Sequence, residues 1–439
     1  MVCFLADKLV IIGAGHEQLH AYKIASKIGL KTIGVDKNKL APGLKLADHR
    51  VISSSRDYKK ILSILKMRFK SIKGVMTLAN DVPLSVAYIA SNLGLPSMNL
   101  KTAKITSNKI LMKNAFRSFS VSTPNYKLVN SVMDIDFLLK KWNKIIIKPV
   151  DNRGSRGVSL VDNKDAIENC YLESLKNSFS NQVIVEEFIG GPQISCEGFV
   201  LNGKCYIVAN SDRNYKKLQQ YKPHIIEDGG ALPSKISRSI RTKIELEMQR
   251  AADAVGLFNG PIKGDIVLDK KKVYVIEIAS RLSGGYFCTD QIPLTTGVDL
   301  VEQTIYFSIG RSIDPISLVP KHLANVAIRY WFPQTGCLTK VPDIDLIRRK
   351  KGVCKADIHH KVGTCFSKVN KHSDRLGFVM TKSDISYYEA EKKAKEELNR
   401  MQQTRVEENE ACAHVHNEFR TSATGLVRSF AKESEASRT

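Results

Sequence analysis

The chain has 439 residues, 43% apolar and 25% charged, a soluble globular balance with length for roughly two to four domains. That balance excludes a disordered chain, a collagen-like fibre and a small disulfide scaffold, and no apolar run nears the ~18–20 residues that cross a bilayer. The 67 basic against 44 acidic residues give a formal charge of +23, which suits nucleotides or other anions but equally a lysine-rich solvated surface. Residues 1–6 are too short and too soon charged for a secretory leader. Nine cysteines are scattered with no CxxC pair, so neither a zinc ribbon nor a dithiol redox site is readable. Free thiols in a chain of this size point to a reducing, cytoplasmic setting.

In chain order, residues 8–12 read as a buried strand followed by Gly13-Ala14-Gly15 and a helical stretch through about Ile28. Strands at 32–36 and 74–78 and a helix at 84–93 complete a βαβ pattern with a parallel sheet, ending near Pro96. The GxG turn and Asp36 about 20 residues on hint at a dinucleotide fold, but Gln18 stands where the fingerprint's third glycine belongs. A lysine-rich helical stretch then runs from Lys101 through Lys109 and Lys113. Strand 144–148 carries Lys148 and leads into the turn-rich loop Asp151-Asn152-Arg153-Gly154-Ser155-Arg156-Gly157. Strand 182–189 ends in Glu186-Glu187-Phe188-Ile189, and 195–200 with 204–209 form a hairpin around Asn202-Gly203.

Further on, helix 237–255 precedes strands 263–268 and 273–278. Short strands and loops fill 323–382, and helix 387–401 has a Ser386-x-x-Glu389 capping box and an apolar stripe of Tyr387, Ala390, Ala394, Leu398 and Met401. The rest is polar and reads as a frayed or disordered tail. Arg213, Lys216, Lys217 and Lys222 interleave with Tyr215 and Tyr221 as on a nucleic-acid surface, but no nucleic-acid motif accompanies them. His359-His360 lacks partners at metal-ligand spacing.

Four features of the middle region share one chemistry. Lys148 closes a strand before a glycine loop whose backbone N–H groups can fold over phosphate oxygens, and Lys109 adds a second cation. The 186–189 backbone can offer alternating N–H and C=O groups to a base edge. Asp265 and Glu277, on strands joined by a short turn, can face one another, and two such carboxylates suit Mg²⁺ or Mn²⁺ bridging phosphates. Arg281 can steady a transferred phosphoryl group or an acyl phosphate.

The order Lys109, Lys148, glycine loop, Glu186-Glu187-Phe188-Ile189, Glu197, Asp265, Glu277, Arg281 resembles the ATP-grasp superfamily. Within it, the sequence is similar to the carboxylate–amine ligase branch related to carbamoyl-phosphate synthase and biotin carboxylase ATP-binding domains. The resemblance implies an α/β (α+β) fold: a Rossmann-like pre-ATP-grasp domain at 1–100, which usually binds no NAD, and an ATP-grasp domain at 101–315 with a lid at about 118–190. A C-terminal α+β subdomain at 316–401 and the tail at 402–439 follow. It implies ATP and Mg²⁺ (or Mn²⁺) as cofactors. Lys109 and Lys148 would contact phosphates, and Gly154, Ser155 and Gly157 would close over them. Glu186 would contact the adenine amine beside Glu187, Phe188 and Ile189, and Glu197 would sit in the nucleotide pocket. Asp265 and Glu277 would hold metal, and Arg281 would stabilise the acyl phosphate.

Two positions depart from the family pattern. Asp265 stands where Glu is usual, and Ala279 replaces the Asn of E-x-N-x-R, which often helps bind a second metal. Arg213, Glu227, Gly284 and Gly285 are the candidate substrate residues. The expected activity is ADP-forming joining of a small-molecule carboxylate to an amine, without membrane or nucleic-acid partners; this branch often forms homodimers. The alternatives are formate or bicarbonate activation of purine or carbamoyl phosphate type, or an ATP-binding module without catalysis.

Overall fold

The computed structural model describes residues 6–366, 368–402 and 406–407. The expected tail at 402–439 lies, apart from residues 402 and 406–407, outside the described residues. No helix among the described residues is long and apolar enough to cross a membrane.

Strands β1 (Lys8–Ile12), β2 (Lys31–Asp36), β3 (His49–Ile52) and β4 (Ile72–Thr77) form a parallel sheet in the order β3-β2-β1-β4. All five β1 residues are buried, as a central parallel strand covered on both faces requires. The helical stretch after Gly15 opens with a 3-10 turn, His16–Gln18, before the α-helix Leu19–Lys27. Gln18 takes the place of a glycine here by stitching the loop together: its carbonyl accepts from the Gly15 N–H at 2.7 Å and its amide donates to the Leu78 carbonyl at 2.5 Å. Asp36 accepts from the Ala14 and Asn38 N–H groups, so the carboxylate considered for a ribose is engaged within the loop.

The stretch from Lys101 is two helices, Leu100–Thr106 and Lys109–Ser118, because the Asn108 side chain accepts from the Leu111 N–H and starts a new helix. Strands β5 (Tyr126–Val129), β6 (Ile145–Pro149), β7 (Ser159–Val161) and β8 (Val183–Glu187) make an antiparallel sheet ordered β5-β8-β6-β7. Strands β9 (Gln193–Leu201), β10 (Lys204–Asn214), β11 (Gly229–Leu232), β12 (Gly260–Asp269) and β13 (Lys272–Ala279) form most of a larger antiparallel sheet. It continues into β14 (Asn325–Trp331), β16 (Val353–Ile358) and β18 (Gly377–Ser383), in the order β13-β12-β9-β10-β11-β14-β18-β16. The link is the β11–β14 pairing, Gly229↔Arg329 to Leu232↔Val326, so one sheet crosses residue 316 without a break.

A small sheet holds β15 (Gly336–Leu338), β17 (Cys365–Phe366) and β19 (Val406–Glu407). There Cys337 and Cys365 are directly paired across strands and disulfide-bonded, which corrects the reading of every cysteine as a free thiol. Their separation of 28 residues carries no motif, and only strand pairing brings them together. The helix Tyr387–Gln402 buries Ala390, Ala394, Leu398 and Met401, and the Ser386 hydroxyl accepts from the Glu389 N–H at 3.2 Å. The basic–aromatic cluster is not one surface: Arg213 turns inward, Tyr221 joins the core, and Lys222 pairs with Asp162.

One core joins the N-terminal sheet to the body, packing Leu9, Ile11 and Met76 with Leu300, Val301 and Ile305 of the helix Leu300–Ser308. Burying each such aliphatic side chain contributes about 1.5–3 kcal/mol. In the central sheet, β10 bulges between Ile207 and Ala209 opposite Gly198, and a Cβ there would meet the Tyr206 carbonyl oxygen at 1.9 Å. Gly198→Ala is therefore expected to cost about 3 kcal/mol, since what the methyl group would meet is the backbone of β10, which cannot yield as a side chain could. Urea unfolding checks this; a loss below about 0.5 kcal/mol would contradict it.

Candidate active site

The hairpin of β12 and β13 sets the floor of a cleft of about 570 Å³. Its register places Asp265 directly opposite Glu277 and Lys263 opposite Ala279. On the other side of β12, Ser195 faces Asp265 and Glu197 faces Lys263. Side chains two apart on a strand share a face, so Lys263 and Asp265 lie together.

Asp265 is densely engaged. Arg213 Nη1 lies 2.8 Å from Oδ1, Ser195 Oγ donates to the same oxygen at 3.3 Å, and the Lys263 ammonium binds Oδ2. Burial alone would raise this carboxyl, but Lys263 and then Arg213 outweigh it and hold it well below the usual range. The Glu277 carboxylate, by contrast, makes no hydrogen bond or ion pair among the described residues, although it lines the cleft within electrostatic reach of Lys109 and Lys148. Arg281 pairs with Asp81 at 3.6 Å, bringing an end of the N-terminal sheet to the site.

Glu197 is fully buried and is not among the residues that line the cleft. Its Oε1 accepts from the Ser283 N–H at 2.6 Å, and the Ser283 hydroxyl donates to Oε2. It thus fixes the turn that carries Arg281, Gly284 and Gly285, and bears on the cleft through Ser283, which lines it. Burial pushes its carboxyl up to about 7.

Glu186 also lies inward. It is 2% exposed, with Lys148 Nζ at 2.8 Å and Lys113 Nζ at 3.4 Å. Burial would raise it, but Lys113 and Lys148 hold it below the usual range. Burial pushes Lys113 down to about 8, although Glu186 opposes the shift. At Lys148 the carboxylates of Glu186 and Glu277 outweigh burial and keep the ammonium above its ordinary value. The adjoining N–H groups are committed as well: Glu187 donates to the Asn125 carbonyl and Phe188 to the Lys144 carbonyl.

The glycine loop crosses the cleft mouth. Lys109 donates to the Asn152 carbonyl at 2.7 Å, tying that lysine to the loop. Gly157 has φ +67°, and a Cβ there would press on Asn177 at 2.9 Å. Ser155 Oγ lies 3.2 Å from His372 Nε2, which also accepts from the Glu227 N–H at 3.3 Å. Burial pushes His372 down to about 3, so it stays neutral and its Nε2 can accept.

Gly154, Ser155, Arg213, Glu227, Asp265, Glu277, Arg281, Gly284 and Gly285 line this one cleft. Lys109, Lys148, Gly157, the 186–189 segment and Glu197 lie outside its lining. Arg213 is already shared between Asp265 and Glu227 at 2.8 and 3.0 Å. Sequence reasoning missed Glu17, Lys263, His372 and Arg375. Glu17 accepts from the Gly285 N–H, and Arg375 sits 3.5 Å from both Glu227 and the centre of the Tyr330 ring. Lys263 had a visible signal, its i, i+2 spacing to Asp265; His372 and Arg375 had none. His359 reaches the cleft wall near Tyr286. No group of three or more His, Cys, Asp or Glu arranged for a metal occurs among the described residues. A carboxylate pair with one member unpartnered is a hard oxygen donor set that fits one divalent cation.

Residues 142–290 match the family model described as the ATP-grasp domain, and residues 329–402 match L-amino acid ligase C-terminal domain 2. The chain therefore carries an ATP-grasp domain. The formate-dependent phosphoribosylglycinamide formyltransferase of Prochlorococcus marinus (strain MIT 9515) is 25% identical over 193 residues, covering 42% of this chain and 48% of that protein. The chain thus spans about half the length of the curated relatives it matches. The L-amino acid ligase of Bacillus licheniformis shares the fold with a TM-score of 0.78 at 20% identity, over 90% of this chain and 97% of that one. The biotin carboxylase domain of Hydrogenobacter thermophilus 2-oxoglutarate carboxylase, solved with MgADP, ADP and bicarbonate, has a TM-score of 0.66 at 14% identity over 86% of each chain.

Glu197 generates a pH prediction. From its ordinary value near 4.5 up to about 7, the folded chain holds a proton that the unfolded chain has lost. Its contribution to stability is full below the lower value and is lost as pH rises through the upper one, on the order of 3 kcal/mol in all. Between pH ~5 and ~8 the melting temperature of the wild type should therefore fall relative to that of Glu197→Gln. Parallel profiles would contradict this.

Proposed function

We propose that this chain is an ATP- and Mg²⁺-dependent ligase that activates a substrate carboxylate as an acyl phosphate and joins it to an amine, forming ADP. The observation that carries this reading is the facing pair Asp265 and Glu277 beside Arg281, beneath a glycine loop tied to Lys109. A triphosphate in the cleft would meet positive charge from Arg281, which lines it, and from Lys109 and Lys148 outside the lining; Lys148 is buried and the other two are half-buried, where electrostatics is stronger than in open water. The ADP and MgADP bound by the biotin carboxylase relative support the same nucleotide for this cleft.

Glu277, with Asp265 across the hairpin, would hold the divalent cation, which when bound neutralises phosphate charge. The substrate carboxylate oxygen attacks the γ-phosphorus, and the bond to the bridging oxygen of ADP breaks. The amine nitrogen then attacks the acyl carbon, inorganic phosphate departs, and the amine's proton goes to solvent or to a carboxylate of the cleft. Arg281, which lines the cleft, would neutralise the acyl phosphate oxygens, and the loop, tied to His372 through Ser155, would keep water from them.

The substrates we infer are of amino-acid type. The cleft wall carries Glu17 and Glu227 alongside Arg213 and Arg375, opposite charges suited to a zwitterion. The C-terminal match to an L-amino acid ligase domain supports this. Formate activation is the second reading, favoured by the similarity to the formyltransferase over 193 residues.

With ATP and Mg²⁺, ADP and phosphate release should require an acid–amine pair drawn from pooled amino acids. Glu277→Ala and Arg281→Ala should each lower kcat by about 10²–10³-fold. Coupled-assay turnover and product mass spectrometry check this. Turnover with formate alone would favour the second reading, and nucleotide binding without turnover on any pool would favour a non-catalytic module.

A further inference from the structure

We propose that Lys263 is a built-in cation of this site, and that its ammonium limits the cleft to one divalent metal ion. The inference rests on the ATP-binding reading above and adds a stoichiometry to it. Lys263 lies between Glu197 on β9 and Ala279 on β13. Both oxygens of Glu197 already accept from Ser283, and no ion pair joins Glu197 to Lys263 among the described residues. Ala279 presents only a methyl group where the family pattern carries an amide. The lysine therefore turns along its own strand and places its ammonium on Asp265 Oδ2. Its side chain is only 14% exposed, so the charge is held within the cleft rather than in solvent.

The other oxygen of Asp265 is also in use, with the Arg213 guanidinium at 2.8 Å and the Ser195 hydroxyl at 3.3 Å. A carboxylate accepts at about four lone-pair positions, and three are filled here. A second metal ion would have to displace a lysine or arginine from Asp265, or sit within a few ångströms of both, where like charges repel strongly under partial burial. Glu277 bears no such load and remains open to one cation. Two features coincide: the residue that would help a second metal is absent at 279, and a monovalent cation occupies the carboxylate that metal would need. Lys263 thus supplies to the phosphates part of the positive charge that a second metal would bring, without dissociating.

The test counts bound Mn²⁺. The full chain is titrated with Mn²⁺ in the presence of a non-hydrolysable β,γ-imido ATP analogue, and free Mn²⁺ is read by its paramagnetic resonance signal. Analogue binding is followed separately by calorimetry. The wild type should bind one Mn²⁺ per chain at submillimolar concentration. Lys263→Met, which keeps an unbranched apolar stem and loses the charge, should gain a second Mn²⁺ with at least about tenfold tighter affinity than any further binding to the wild type. Lys263→Arg, which keeps the charge, should stay at one, and the double variant Lys263→Ala with Ala279→Asn should bind two. Two Mn²⁺ of comparable affinity in the wild type overturns the proposal whatever the variants do. One Mn²⁺ in the wild type and in every folded variant also overturns it, because the lysine then sets nothing. Failure of the chain to bind the analogue removes the ATP-binding reading and this inference together, whereas binding with two metals removes this inference alone.

Discussion

Asp265 and Glu277 face each other across a hairpin, and two carboxylates so placed are stable only where positive charge surrounds them. Much of the site follows from that constraint. Lys263 and Arg213 bind Asp265 directly, while Lys109, Lys148 and Arg281 stand around the pair from three other elements. A cleft of this kind is preorganised for a polyanion, and its groups need little rearrangement when charge arrives.

The same requirement shapes the wall behind the cleft. Glu186 is shared by Lys113 and Lys148 in a nearly solvent-free setting. Removing one partner of such a group leaves an uncompensated buried charge, so the set is held together by what its loss would cost. Lys148 then connects this interior cluster to Glu277, and Lys109 connects it to the loop through the Asn152 carbonyl. Glu197 orients the turn of Arg281, while His372 ties the loop to the C-terminal part of the sheet. The C-terminal segment is thereby part of the cleft, as the continuous β11–β14 pairing requires.

The local pattern was readable wherever chemistry and strand period coincide in a few residues. The hairpin around Asn202-Gly203 has the turn pair its geometry demands. The hairpin that carries Asp265 and Glu277 was readable too, but counting back from its turn pairs Asp265 with Ile276, and only the bulge between Asp265 and Ile266 brings Glu277 opposite. The parallel N-terminal sheet follows from apolar runs separated by helical stretches. Placements made by distant strand pairing were not readable. Cys337 and Cys365 meet only because β15 and β17 pair, and Arg375 reaches Glu227 only because the sheet continues beyond β11. Glu186 and Glu197 illustrate a further limit: a carboxylate at the right point in a motif order can turn inward, and burial decides that rather than spacing.

The claim at the centre of this account is that a substrate carboxylate takes the γ-phosphoryl group of ATP. Following oxygen tests it most directly. Pooled amino acids carrying ¹⁸O in their carboxyl groups are incubated with the full chain, ATP and Mg²⁺, and the released phosphate is examined by mass spectrometry. Transfer through an acyl phosphate predicts one ¹⁸O atom in each phosphate released, together with ADP. Unlabelled phosphate, or AMP and pyrophosphate as the products of turnover, would contradict it.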